Sequence, residues 1–247
     1  MSEDAVTYES GDNIAVITLN QADKHNRLNN DLVEGLEAAW RRFALADDRV
    51  AVLASASAKA FTVGADLDNI PHDLFRGIPG IGVPLEKPVI GAVAGWCVGG
   101  GMVLTTMCDL LVATESAKFS YPEVKVGFSG GLIATLAARI PHKIAMELLL
   151  LGEPMDARRA YEVGYVNKVV LDGEHLEAAM EYARAIAGMA PLPTGMLKRF
   201  VGETVAKGPS EIAAIARVQL TEVNTSEDGK EGMAAFREKR PPVFKGR

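Results

Sequence analysis

Cysteine is almost absent from this chain of 247 residues: there are two, Cys97 and Cys108, each inside an apolar run. So few thiols exclude a disulfide framework and fit buried side chains in a reducing compartment. Histidine is scarce too; His25, His72, His142 and His175 are scattered, show no metal-ligand spacing, and make a metal site unexpected. No apolar run approaches the roughly 18 residues of a membrane span. The opening MSEDAVTYES is acidic and has no apolar centre, so no signal peptide is expected. Positive charge is in deficit, with a net charge of −6 and an isoelectric point near 5.3. That argues against a general nucleic-acid binder, although a local basic patch for a phosphate-bearing small molecule is compatible with it. The nucleotide motifs are missing as well. GxGxxG fails because Leu104 takes the place of its last glycine when the motif is started at Gly99, and no GK[ST] follows any glycine run. No GxSxG elbow occurs, Ser129 in FSGG being its nearest imitation. The expectation is a cytoplasmic globular protein without nucleic-acid or membrane partners.

What is present is apolar patterning: 48% of the residues are hydrophobic, enough for one large core without requiring two domains. IAVITL at Ile14–Leu19 and VAVLA at Val50–Ala54 read as strands, the second as one covered on both faces. Between them Asn29 or Asn30 caps a helix, with Asp31 in its first turn and Leu32, Leu36, Ala39, Trp40 and Phe43 on one face. Val89–Ala94 is a further strand, Gly100–Cys108 a helix and Asp109–Ala113 a strand, an alternation that means α/β with right-handed crossovers. FSY and VKVG read as short extended pieces, followed by helices over Gly131–Arg139 and Lys143–Leu150. DARRAYEVG is a helix capped by Asp156 and closed by Gly164, VNKVV is a strand, and three helices follow Gly173. Pro191 and Pro209 stand near two of their starts. Residues 1–190 are thus expected to form an α/β core, and 191–247 a helical region packed on it as one structural unit.

Two glycine-bearing junctions hold the candidate chemistry. In GWCVGGGMVL, three glycines follow an apolar strand and open a helix. The first amides of a helix lack intrahelical partners, and without a Cβ at Gly99, Gly100 or Gly101 a ligand oxygen can approach them. Close backbone packing without a ligand is the alternative. FTVGADLDNI repeats the design, with Gly64 and Ala65 after a strand and Asp66 able to cap the next turn. Two such loops on neighbouring strands make a two-amide oxyanion hole, suited to a carbonyl becoming an enolate.

KAFTVGAD, KPVIGAVAGWCVGGGMVL, MCDLLVATESAKFSYPEVKVG, LLLGEPMDARRAYEVGYVNKVV and EGMAAFREKR, in that order, resemble the enoyl-CoA hydratase/isomerase (crotonase) family over most of the chain. NQADKHNRLNNDL is similar to the family's first loop, with Arg27 where a small residue is usual. The resemblance implies an α/β crotonase-like spiral of repeated ββα units with a C-terminal helical layer. It also implies an acyl-CoA substrate, no metal or redox cofactor, and a homotrimer or homohexamer held by the C-terminal helices. Matched residue by residue, Ala65 and Gly100 fall on the oxyanion-hole positions. Gly64, Asp66, Leu67 and Asp68 lie beside the thioester and pantetheine, with Gly99 and Val103 in the second loop. Lys24 lies near the CoA nucleotide or is simply a solvated lysine.

The departures are informative. Hydratases of the family hold water between two glutamates; here Val103 takes the first position and Glu123, in SYPE, the second. Valine holds no water, so the resemblance favours double-bond isomerisation by Glu123 alone over hydration, with thioester hydrolysis or a catalytically silent acyl-CoA binder as further readings. The plain alternative for Glu123 is an ion pair with Lys118 or Lys125. GFSGGL is shorter than its counterpart and lacks proline. The Asp66–Lys87 stretch is also short, so His72, Asp73, Arg76 and Ser129 are candidates to enter the remodelled acyl region.

Overall fold

Short strands recur in pairs in this chain, one long enough to cross a large sheet and the next only a few residues. The computed structural model describes residues 4–247. The strands are β1 (Val6–Gly11), β2 (Ile14–Leu19), β3 (Val50–Ser55), β4 (Ala60–Thr62), β5 (Val89–Val93), β6 (Trp96–Val98), β7 (Leu110–Thr114), β8 (Lys118–Ser120), β9 (Met155–Asp156) and β10 (Lys168–Val170). They form a six-stranded sheet, β1-β2-β3-β5-β7-β10, and a four-stranded sheet, β4-β6-β8-β9. From β2 to β10 the large sheet is parallel, and so are β4, β6 and β8 in the small one. The three turns β3–β4, β5–β6 and β7–β8 each lay one strand in the large sheet and the next in the small sheet, then continue through a helical segment. After β3–β4 that segment includes a 3₁₀ turn at Leu74–Gly77. After β5–β6 it is helix α2 (Gly100–Thr106), and after β7–β8 helix α3 (Glu123–Val126).

Helix α1 (Asn30–Leu45) covers one face of the large sheet. Asn29 caps it by accepting the Leu32 N–H at 3.0 Å, and Leu32, Leu36, Ala39, Trp40 and Phe43 are all buried, as their spacing predicts. The Trp40 indole N–H donates to the Gly77 carbonyl at 2.9 Å, docking the 3₁₀ turn onto this helix. On the opposite face lies α6 (His175–Ala187), whose Ala178, Ala179, Ala183 and Ala187 meet Val50, Val52, Ile90 and Val112. Small side chains let that helix approach closely. Coverage on both faces explains why VAVLA carries no polar alternation.

The rest comprises α4 (His142–Leu151), α5 (Ala157–Glu162), α7 (Pro191–Thr204), α8 (Pro209–Thr225) and α9 (Glu227–Glu238). Asp156 caps α5 through the Arg159 N–H at 2.8 Å, and Pro191 and Pro209 open α7 and α8. Four points differ from expectation. VKVG is one helical turn, not extended, because Gly127 adopts φ 71° and returns its N–H to the Glu123 carbonyl. Gly131–Arg139 is largely 3₁₀, at Leu132–Ala138. Four helices, not three, follow Gly173, since Ser226 caps a separate α9 through the Gly229 N–H. AFT and WCV, too short to stand out as strands, build the small sheet. Both cysteines are free, and burial pushes the Cys97 thiol up to about 12. No helix of the described residues is long and apolar enough to cross a membrane.

Candidate active site

Parallel strands that end at one edge of a sheet bring their following loops together there. Strands β4, β6 and β8 are neighbours in this way, and the loops after them carry Gly64–Ala65, Gly99–Gly100 and Glu123. The register pairs Val98 with Ser120, and the Gly99 N–H donates to the Ser120 carbonyl at 2.9 Å. The glycine run and the glutamate are therefore adjacent, although more than a helix separates them in sequence.

The two glycine loops lie against each other. Gly64 (φ 88°) and Gly99 (φ 55°) both occupy backbone space that side chains rarely adopt. A Cβ placed on Gly64 would lie 3.0 Å from the Val98 carbonyl oxygen and 3.6 Å from the Gly99 Cα. A Cβ on Gly99 would lie 2.5 Å from Glu123 Oε1. The absent side chain at Gly99 is thus the room in which the Glu123 carboxyl sits. Gly101 meets Thr62 of the neighbouring strand on its other side.

Leu28 ties the first loop down. Its N–H donates to the Gly64 carbonyl at 2.8 Å, and its carbonyl accepts the Asp66 N–H at 3.0 Å, so Ala65 sits between two backbone bonds. Among the described residues, neither the Ala65 nor the Gly100 N–H donates to another atom of the chain. The Thr62 hydroxyl accepts the Gly64 N–H at 3.1 Å and donates to the Asn26 carbonyl at 2.6 Å, and the Asn26 amide donates on to Ser55 and Phe61. Behind α2, the Thr105 hydroxyl donates to the Gly101 carbonyl at 3.0 Å and lies 2.8 Å from the buried Tyr165 hydroxyl. The glycine corner is held by bonds on every side.

Glu123 opens α3 and has neither of the lysine partners considered for it: Lys125 pairs with Glu153 at 2.8 Å, and no ion pair links Lys118 to Glu123 among the described residues. Its Oε2 is buried without a hydrogen-bond partner. Burial lifts its carboxyl to about 7, opposed by its own backbone N–H. Val103, in α2, is 4% exposed and packs in the core; it carries no polar atom beyond its backbone. Tyr121, buried beside this region, lies 3.5 Å from the Ser129 hydroxyl, and its phenol is pushed up first by burial, with Glu123 adding to the effect.

The remaining sequence candidates lie further out. Leu67 and Asp68 are exposed, and Lys24 is exposed in a 3₁₀ turn at Ala22–Lys24. Arg27 faces Asp66 at 3.3 Å and Asp68 at 3.7 Å. Of the acyl-region candidates, Arg76 pairs with the buried Glu37 of α1, Asp73 pairs with Arg217 of α8, and His72 is exposed. Sequence reasoning missed Leu28 and Leu74, the two side chains over Gly100. A Cβ there would lie 2.7 Å from Leu28 Cδ1 and 3.3 Å from Leu74 Cδ2. A lone leucine in a loop gives no periodic signal that would single it out.

Known proteins agree with this architecture over its whole length. The family profile described as enoyl-CoA hydratase/isomerase matches residues 81–247. The chain is 36% identical to (E)-benzylidenesuccinyl-CoA hydratase of Thauera aromatica, covering 98% of this chain and 99% of that one. Among solved structures, a probable enoyl-CoA hydratase/isomerase from Mycobacterium abscessus is 37% identical with a TM-score of 0.76, covering 99% of this chain and 100% of that one. Carnitinyl-CoA hydratase from Mycobacterium avium is 35% identical, also with a TM-score of 0.76 and complete coverage of both chains.

Proposed function

This chain belongs to the enoyl-CoA hydratase/isomerase family and has its crotonase fold, and we propose that within it Glu123 works alone, moving a double bond in an acyl-CoA thioester. The observation that carries this reading is a single carboxyl with no lysine partner and a buried, unpaired Oε2, its pKa lifted by burial to about 7, beside an aliphatic residue at Val103. A group with that pKa both takes and returns a proton near neutral pH.

In this mechanism the thioester oxygen lies against the free N–H groups of Ala65 and Gly100. The Glu123 carboxylate removes a proton from C2 of a 3-enoyl thioester. The electron pair moves through the conjugated system onto the oxygen, and the dienolate is stabilised by the two amides. The same proton is returned at C4, leaving a 2-enoyl thioester of unchanged composition. Coenzyme A enters as part of the substrate, so no further group is needed for the step. Hydration would require a second polar side chain to hold and orient water, and Val103 supplies none. The hydratase names of the relatives favour that competing reading, and products distinguish the two.

Purified protein is given 3-enoyl- and 2-enoyl-CoA esters of several chain lengths, and the products are followed by mass. The expected result is isomerisation of 3-enoyl esters without a change in mass, lowered by about 10²–10⁴-fold in Glu123→Gln. Rapid gain of one water by crotonyl-CoA would overturn the isomerase reading in favour of hydration. Free coenzyme A as the product would indicate thioester hydrolysis, and tight binding without turnover a silent binder. Assembly as a homotrimer or homohexamer belongs to the same proposal, supported by apolar side chains exposed on the C-terminal helices, such as Leu192 and Phe236.

A further inference from the structure

Helix α8 crosses from one side of the site to the other. Near its start, Ser210 lies against the turn beyond Glu123: a Cβ on Gly131 would collide with Ser210 Oγ. Further along, Ala214 is buried and Ile215 packs on the main core. Beyond them Arg217 reaches the 3₁₀ segment, pairing with Asp73 at 2.9 Å and lying 4.9 Å above the Phe75 ring. Asp73 and Phe75 flank Leu74, the half-buried side chain that stands over Gly100. The other end of the segment is fixed separately by α1, through Glu37 to Arg76 and Trp40 to the Gly77 carbonyl. Two clamps thus hold one short turn. Leu74 and Phe75 also rest against the main core, and of the two clamps the α8 one meets the residues on both sides of Leu74.

We propose that Arg217 is a positioning residue that, by gripping Asp73 and Phe75, holds Leu74 against the Gly100 corner and limits the site to short acyl chains. The inference rests on the acyl-CoA reading above. Both members of the ion pair are substantially exposed, with side-chain exposures of 60% for Arg217 and 44% for Asp73. Such a pair contributes little to global stability, and a cation over an aromatic ring at an exposed site adds a comparably modest amount. Loss of the clamp therefore loosens one turn and leaves the fold intact. The device tunes the depth of the acyl site without entering it.

The test uses saturated butyryl-CoA and octanoyl-CoA, which have no double bond to move, titrated calorimetrically into native protein and the Arg217→Ala, Arg217→Lys and Leu74→Ala variants. Each methylene newly seated against apolar surface is worth roughly fourfold in affinity. If two more methylenes are admitted, the octanoyl-to-butyryl affinity ratio rises on the order of tenfold in Arg217→Ala and in Leu74→Ala. Arg217→Lys keeps a charge opposite Asp73 but loses the flat stack on Phe75, and shifts the ratio less. Without any ligand, the amides of Arg76 and Ile78, which donate to the Asp73 and Phe75 carbonyls, exchange faster in Arg217→Ala while the melting temperature stays close to native.

A ratio raised by Leu74→Ala but not by Arg217→Ala would overturn the role of Arg217. A ratio unchanged in both variants would overturn the role of Leu74 as the limiting wall. Unchanged amide exchange in Arg217→Ala would show that the clamp does not hold the turn. Failure of the native protein to bind either ester is a different result: it removes the acyl-CoA reading itself, and this inference with it.

Discussion

The glycine corner at residues 99–106 and the loop at residues 64–68 meet at the same site, yet they are held in opposite ways. The residues of the corner are buried, its Gly99 N–H bonded to Ser120, the Gly101 and Met102 carbonyls accepting from the Thr105 hydroxyl, and that hydroxyl backed by Tyr165. The loop leaves its backbone bonds to Leu28 within a turn of its start and continues as an exposed stretch steadied by Arg27 across Asp66 and Asp68. Proton transfer demands atoms fixed to within a fraction of an ångström. Admission of a long flexible ligand does not. Dense packing is concentrated where chemistry would occur, and solvated charge where a ligand would enter.

The sharpest way to break this contrast is Gly99→Ala. The new methyl would displace the Glu123 carboxyl from Oε1 contact and force alanine into a positive φ. The expected cost is about 1–3 kcal/mol from backbone strain, read by thermal unfolding. Turnover of 3-enoyl esters should fall by at least about a hundredfold as the base moves off its proton; retained turnover would mean that Glu123 does not act from the space beside Gly99.

Varying pH probes the same corner with a smaller effect. Because burial raises the Glu123 carboxyl to about 7, the carboxylate needed to take a proton accumulates only as pH rises through that value. The kcat/KM for isomerisation should therefore rise through about pH 7 and then level. Stability runs the other way. The folded chain holds this proton more tightly than the unfolded chain, so the contribution is complete below the ordinary glutamate range and is lost as pH rises through about 7. Glu123→Gln should unfold at a less pH-dependent temperature between those limits, and an unchanged pH dependence would show that Glu123 is not the group responsible.

The smallest effect belongs to the exposed loop. Arg27→Ala removes ion pairs whose arginine side chain is 48% exposed, and denaturant unfolding should register no more than about 1 kcal/mol. Its sensitivity to salt should disappear along with it. A loss comparable to that in Gly99→Ala would erase the distinction between the two loops.

Much of this arrangement is legible in the sequence where periodicity or backbone chemistry is strong. The face of α1 declares itself because five apolar side chains repeat at helical spacing above a capping asparagine. Gly64 and Gly99 declare their loops because their positive φ angles favour glycine. Strands β4 and β6, three residues each, are too short for an alternating pattern to emerge. The valines of VKVG favour an extended reading that Gly127, by closing a helical turn, overrides. Long-range placement is the least legible. Nothing local tells Leu28 that it will border Ala65, or Arg217 that it will reach Asp73, because those contacts are set by where whole turns of the spiral come to rest. Family resemblance singles out Glu123; its lack of a lysine partner emerges only from the fold.

The bracing of Ala65 by Leu28 has a consequence in time. Leu28 leaves the ribosome well before the carboxyl facing Gly99, which is made nearly a hundred residues later. The Leu28–Gly64 bond and the Gly99–Glu123 approach close loops of 36 and 24 residues, and each loop must close before its contact can stabilise it. The loop carrying Ala65 is thus closed by one set of contacts and the glutamate is brought in by another, so the corner is complete only when both turns of the spiral have docked.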